Sequence, residues 1–188
     1  MKSLIKKNLT GKKVLLFFII SSSLYFLMLF GTIPHLHKIT NGVKILDMMP
    51  TGYNLAYTKK LMDALGETGR HYYLFRQLPV DLVYPFFFAI SNCLIISWFL
   101  KKLGKHDSSW FFVCYLPLIA GFLDYAENFT IISILNSYPE ITNNLVQVSN
   151  LFSVLKSSLT TVSLTALLVI ILVWGFRKLT TKPGKIAG

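Results

Sequence analysis

The chain has 188 residues, 53% of them hydrophobic and 14% aromatic, with only 14% charged and a mean hydropathy of +0.55. That balance excludes an ordinary soluble domain of this length and places the protein in the membrane class. The formal net charge of +11 does not signal a nucleic-acid partner, because its basic residues cluster beside apolar runs.

A hydrocarbon core about 30 Å thick needs roughly 20 apolar residues in a helix. Four stretches meet that requirement: Val14–Ile33, Leu78–Leu100, Trp110–Leu135 and Leu151–Phe176. The expected fold is an all-α membrane protein, a four-transmembrane-helix bundle with an amphipathic helix in its first outer loop. Residues 1–188 form a single membrane domain, since neither a repeat nor a low-complexity linker divides them.

Lys2, Lys6, Lys7, Lys12 and Lys13 precede the first span. Lys101, Lys102 and Lys105 lie between the second and third, and Arg177, Lys178, Lys182 and Lys185 follow the fourth. By the positive-inside rule both termini and the 101–109 connection are cytoplasmic, in a multi-pass protein of the cell membrane, and loops 34–77 and 136–149 face outward. The first apolar run continues through LYFLMLFG after Ser21–Ser23, beyond the length of a signal-peptide core, so an uncleaved anchor is expected. Those serines read as a packing face.

Loop 34–77 is too long to be a structureless connection. Within it, Asn54–Leu65 sets Leu55, Leu61, Met62 and Leu65 against Lys59, Lys60 and Asp63, the pattern of an amphipathic helix on the outer membrane surface. Pro50-Thr51-Gly52 reads as a turn before it, and Gly66 as its C-cap. A second helix is expected from about Glu67 or Thr68, running into span 2 with a bend at Pro79. Trp98, Trp110 and Trp174 on the inner side, with Tyr72, Tyr73 and Tyr138 on the outer side, match interfacial aromatic belts.

Three carboxyls fall within spans: Asp81, Asp124 and Glu127. A charge at the centre of a membrane helix costs about 2.5–3.5 kcal/mol on insertion scales, so these side chains are expected to face inward. Asp124, Glu127 and Asn128 stand at i, i+3 and i+4 on one helix face, which continues back through Gly121, Ala120 and Pro117. On span 2 and its approach, Arg70, Tyr73, Gln77, Asp81 and Tyr84 follow one stripe. On span 4, Asn150, Ser153, Lys156, Ser157, Thr160 and Ser163 form a polar stripe at matching depth.

This coincidence predicts an outward-opening polar pocket. Asp81, Asp124, Glu127, Asn128, Lys156, Arg70, Tyr73, Gln77 and Tyr84 are its ligand-binding candidates. Lys156 is expected to pair with Asp124 or Glu127, and Arg70 or Arg76 to reach Asp81. A buried ion pair can instead be architectural, and two close carboxyls can share a proton.

His35, His37 and His71 lack a metal-ligand spacing, with His35 after Pro34 in expected loop, and no catalytic or phosphate-binding motif occurs. Neither metal nor cofactor is therefore expected. Cys93 and Cys114 read as small buried apolar side chains. The sequon at Asn128 falls inside a span, and that at Asn8 on the cytoplasmic side.

The segments LMDALGETGRHYYLFRQLPVDLVYPFFF and GFLDYAEN resemble a family of small, uncharacterised four-helix integral membrane proteins, in which an LG…GR…Y segment leads into an Asp- and Pro-bearing span and Asp-x-x-Glu-Asn follows on the next. The resemblance covers about a third of the chain. It implies that Arg70, Asp81, Asp124, Glu127 and Asn128 act as one set, and it brings no activity.

The leading functional reading is a pocket for a small polar or amphipathic, lipid-like ligand. An intramembrane enzyme using a carboxylate as general acid or base is one alternative. An accessory or assembly subunit of a membrane complex is another. Membrane lipid is the expected partner, with homo-oligomerisation or a membrane partner protein left open. The residues name neither a ligand nor a reaction.

Overall fold

A computed structural model describes residues 2–180. Lys182 and Lys185 of the C-terminal basic group lie outside the described residues. Among those described there is no strand. A short helix α1 (Lys2–Asn8) precedes four helices long and apolar enough to cross a membrane: α2 (Gly11–Ile39), α3 (Leu55–Lys102), α4 (Ser109–Asn136) and α5 (Asn143–Thr180). The protein is an all-α, multi-pass membrane bundle.

Local chemistry sets the starts of these helices. Thr10 accepts a hydrogen bond from the Lys13 amide (3.4 Å) at the head of α2, and Asn54 accepts from Tyr57 (2.9 Å) at the head of α3. Thr142 does the same for Leu145 (3.3 Å) at the head of α5. Each polar side chain satisfies an amide that the first turn leaves without a helical partner.

The helices extend further than hydropathy alone predicts. Pro34 and His35, expected in a loop, lie on α2, which runs to Ile39 after a π-helical turn at Met28–Thr32. Proline is tolerated there because it falls in the first turn after that irregularity, where its missing N–H breaks no regular bond. The expected amphipathic helix and its successor merge into α3. Gly66, at φ +59°, breaks the helical path between them in the left-handed region that glycine enters without a Cβ clash. A second π-helical turn, Tyr73–Gln77, immediately precedes Leu78 and Pro79. α4 opens with 3-10 turns over Ser109–Tyr115 and becomes α-helical from Leu116. α1 itself has no counterpart in the sequence reading.

α3 is the central element, with α2 along one side and α4 along another, while α5 packs on α4 and touches α3. α2 and α5 share no comparable seam. Close approach of α3 and α4 depends on Gly121: a Cβ there would lie 2.8 Å from the Ala89 Cβ and 3.0 Å from the Pro85 carbonyl oxygen. The small-residue face expected on span 3 is thus a packing face against α3.

Two apolar clusters hold the ends. At the end bearing the N-terminus, Ile5, Leu9, Ile96, Leu100, Phe111 and Cys114 pack together. Lys2 (3.5 Å) and Lys6 pair with Asp107 there, and Arg177 donates to the Leu103 carbonyl (3.3 Å). At the opposite, far end the connection 40–54 folds inward: Ile45, Leu46 and Tyr53 join Leu36, Leu61, Met62, Tyr73 and Ile134 in one buried core. Exposed Leu15, Leu16, Phe18 and Ile19 on α2, and Leu164, Leu168, Val169 and Leu172 on α5, provide the apolar outer surface expected against acyl chains.

Candidate functional site

Between the two clusters lies a polar layer. Asp124 is 7% exposed, Asp81 6%, and Glu127 and Asn128 are fully buried. The i, i+3, i+4 spacing on α4 does turn Asp124, Glu127 and Asn128 inward together. Lys156 Nζ from α5 lies 3.1 Å from Asp124 Oδ1 and also contacts Glu127 Oε2. One ammonium therefore bridges two carboxylates, an arrangement in which Coulomb attraction offsets part of the cost of removing three charges from water.

Asn128 serves the backbone. Its Nδ2 donates to the Asp81 carbonyl (3.0 Å), which ties α4 to α3 one turn from Pro85. That proline has no N–H for the i−4 carbonyl, and the i−4 residue is Asp81. The side chain of Asn128 thus occupies an acceptor that the helix leaves vacant.

The Asp81 carboxylate has another environment. Its Oδ2 is buried with no hydrogen-bond partner, as are Glu127 Oε1 and Asn128 Oδ1, but unlike Glu127 it has no salt bridge. Arg70 does not reach it: that guanidinium donates to the Met62 carbonyl (2.9 Å) and stacks over Tyr138 at 4.1 Å. Eleven residues of helix, a rise of about 16 Å, separate Arg70 from Asp81 on α3, which is beyond the reach of the two side chains whichever face they share.

Tyr73 and Gln77 meet a residue that the sequence reading did not include. Asp47, from the 3-10 turn Leu46–Met48, accepts from the Tyr73 hydroxyl and from Gln77 Nε2 (3.3 Å). The Thr32 hydroxyl of α2 donates to Gln77 Oε1. Nothing in the local sequence marked Asp47, because its partners lie 26 and 30 residues away. The only available signal was an acidic residue inside an otherwise apolar stretch of loop, ILDMM.

These groups line a cavity of about 170 Å³, bounded by Tyr25, Met28 and Ile33 of α2, Asp47 and Met48, Gln77, Asp81, Tyr84 and Phe88 of α3, Asp124 of α4, and Lys156 and Thr160 of α5. Of the nine expected site residues, Asp81, Asp124, Lys156, Gln77 and Tyr84 face this cavity. Glu127, Asn128 and Tyr73 stand behind it as supports, and Arg70 stands apart.

The far side of the cavity is roofed. Tyr53 donates its amide to Asn150 Oδ1 (2.7 Å), its hydroxyl bonds to Ser149 Oγ (2.7 Å), and Ser153 donates to the Met49 carbonyl (3.4 Å). Burial pushes the Tyr53 hydroxyl well up from its ordinary value, so it remains a neutral partner for Ser149. The polar stripe on α5 thus serves the roof at Asn150 and Ser153 and the cavity at Lys156 and Thr160. With the roof in place, the lip is formed by half-exposed Tyr25 of α2 and Met48, on the side where α2 and α5 do not pack together.

Two of the three outer histidines are engaged with aromatic rings, His35 with Tyr72 at 4.2 Å and His71 with Phe75 at 4.6 Å.

The fold and this layer define a polytopic helical membrane protein with a charged, partly hollow centre. Comparison with family models, curated proteins and solved structures finds no match for the chain.

Proposed function

We propose that the protein binds a small amphipathic, lipid-like molecule in the cavity between α2, α3 and α5. The carrying observation is the pairing of a polar interior with a lip on the apolar flank: Asp47, Gln77, Asp81 and Lys156 inside, Tyr25 and Met48 at the margin. A polar headgroup would sit among the charged side chains while its chain lies in the gap between α2 and α5. A purely water-soluble ligand fits less well, since segment 45–53 covers the far side. The opening we propose is accordingly sideways rather than outward.

The orientation we propose has the N-terminal end in the cytoplasm of a cell-membrane protein. Lys2, Lys6, Lys101, Lys102, Lys105, Arg177 and Lys178 gather at that end, with Lys102 over Trp98 at 5.3 Å and Lys178 over Trp174 at 5.5 Å. The cavity then belongs to the outer half of the bilayer.

Mass spectrometry of protein purified from its membrane provides the test. Wild type should retain an amphiphile near one per chain, and Thr160→Phe, which fills the cavity from α5, should lose it at unchanged thermal stability. Equal retention by the filled variant, or none by wild type, would refute the reading.

A further inference from the structure

The charge inventory of the cavity points to the chemistry of its ligand. Lys156 is already shared between Asp124 and Glu127. Asp47 receives only neutral donors, Tyr73 and Gln77. Asp81, more than nine-tenths buried, lines the cavity with Oδ2 unpartnered. Neither Asp81 nor Asp47 has a salt-bridge partner, since the Lys156 ammonium in the same hollow is held by Asp124 and Glu127, and for the buried Asp81 a carboxylate without a direct partner is costly in a medium of low dielectric.

Aromatic faces complete the enclosure. Tyr25 and Tyr84 have ring centroids 6.0 Å apart, Tyr84 and Phe88 5.5 Å apart, and all three rings border the same cavity as Asp81. Aromatic rings beside carboxylates favour a desolvated cation through the negative ring face. A volume of 170 Å³ exceeds the roughly 150 Å³ that accommodates a benzene-sized guest, so it suits a headgroup rather than a whole lipid.

We propose that the cavity selects an amphiphile with a positively charged amine or quaternary ammonium headgroup, its nitrogen placed against Asp81 and Asp47 and between the rings of Tyr25, Tyr84 and Phe88. This rests on the cavity being a ligand site, and it specifies the charge of the ligand. An anionic headgroup would meet only Lys156, whose charge two carboxylates already occupy.

The experiment uses full-length protein in lipid nanodiscs and three photoactivatable probes of equal chain length: a hexadecyl trimethylammonium, a hexadecyl phosphate and hexadecanol. Peptide mapping reads where each attaches. The ammonium probe should label cavity-lining residues about ten-fold more than either of the others. Asp81→Asn should reduce that labelling about ten-fold and Tyr84→Leu several-fold, with unfolding temperature unchanged. Should Asp81→Asn fail to fold, Asp47→Asn tests the same charge from the loop.

Equal or stronger cavity labelling by the phosphate or the alcohol overturns the cation preference while leaving the cavity as a binding site. Labelling of the cavity by none of the three overturns both.

Discussion

Lys156 Nζ lies 3.1 Å from Asp124 Oδ1 and joins helix α5 to helix α4 through a contact that also takes in Glu127. Because all three side chains are largely withdrawn from solvent, removing only the cation leaves two buried carboxylates facing each other. Lys156→Met is expected to destabilise the protein by about 3–5 kcal/mol. Adding Asp124→Asn and Glu127→Gln should recover most of the loss, because no charge then remains unpaired. Thermal unfolding in one detergent reads both; an unaffected single variant would show that the ion pair does not hold the bundle.

Gly121 and Gly175 form a matched pair of tests for helix packing. A methyl at Gly121 collides with Ala89 and the Pro85 carbonyl, whereas one at Gly175 meets nothing within 4 Å. Gly121→Ala should cost about 1–3 kcal/mol by overpacking the α3–α4 seam. Gly175→Ala should be neutral or slightly stabilising, since alanine is the better helix former by up to about 1 kcal/mol. Similar unfolding temperatures for the two would contradict the close approach.

The roof over the cavity hinges on Asn150. Asn150→Ala removes the acceptor of the Tyr53 amide, a loss of about 1 kcal/mol that falls on segment 45–53. Gly52→Ala should act on the same segment, because its Cβ would come 2.2 Å from Asn150 Oδ1 at φ +92°. In each variant hydrogen exchange should rise across 45–53 and remain unchanged in the middle of α4. Exchange that rises evenly along the chain would mean that this segment does not open as a unit.

At the opposite end, Asp107 is exposed, and its hydrogen bond with Lys6 holds its carboxyl below the ordinary aspartate range. A carboxylate with a depressed folded value contributes stability above its unfolded value and loses it as pH falls through the folded one. Attachment of α1 should therefore loosen only in the acidic window beneath the ordinary aspartate value of 3.8. A nitroxide placed at exposed Leu4 should gain mobility there, whereas Asp107→Asn should show the mobile spectrum at neutral pH as well. Mobility independent of both pH and substitution would rule out that anchor.

Much of the polar layer was legible before any coordinates. Asp124, Glu127 and Asn128 share a face by spacing alone, and their match in depth with Lys156 follows from counting along two antiparallel spans. The stripe from Arg70 to Tyr84 turns inward from Tyr73 onward, whereas Arg70, about 16 Å of helical rise from Asp81, engages Met62 and Tyr138 instead. Asp47 was missed for a different reason: its role arises from Tyr73 and Gln77 on a distant segment, and a loop residue carries no periodicity. Pro34 and His35 lie beyond the apolar run that marks the first span, and they are helical because the preceding π-helical turn lets α2 continue to Ile39.

What the amino-acid order by itself determined is the all-helical membrane class, the approximate positions of four spans and the inward placement of the charges, since each follows from the cost of exposing polar groups to hydrocarbon. Tertiary structure alone decided that segment 45–53 folds over the far side, that Asp81 is left without Arg70, and that α2 and α5 flank a hollow instead of closing on each other. Hydropathy and periodicity are properties of one helix against its solvent. A roof, an unpartnered carboxyl and a gap are relations between helices, set by loop closure and by which small residue, here Gly121, lets two backbones come close.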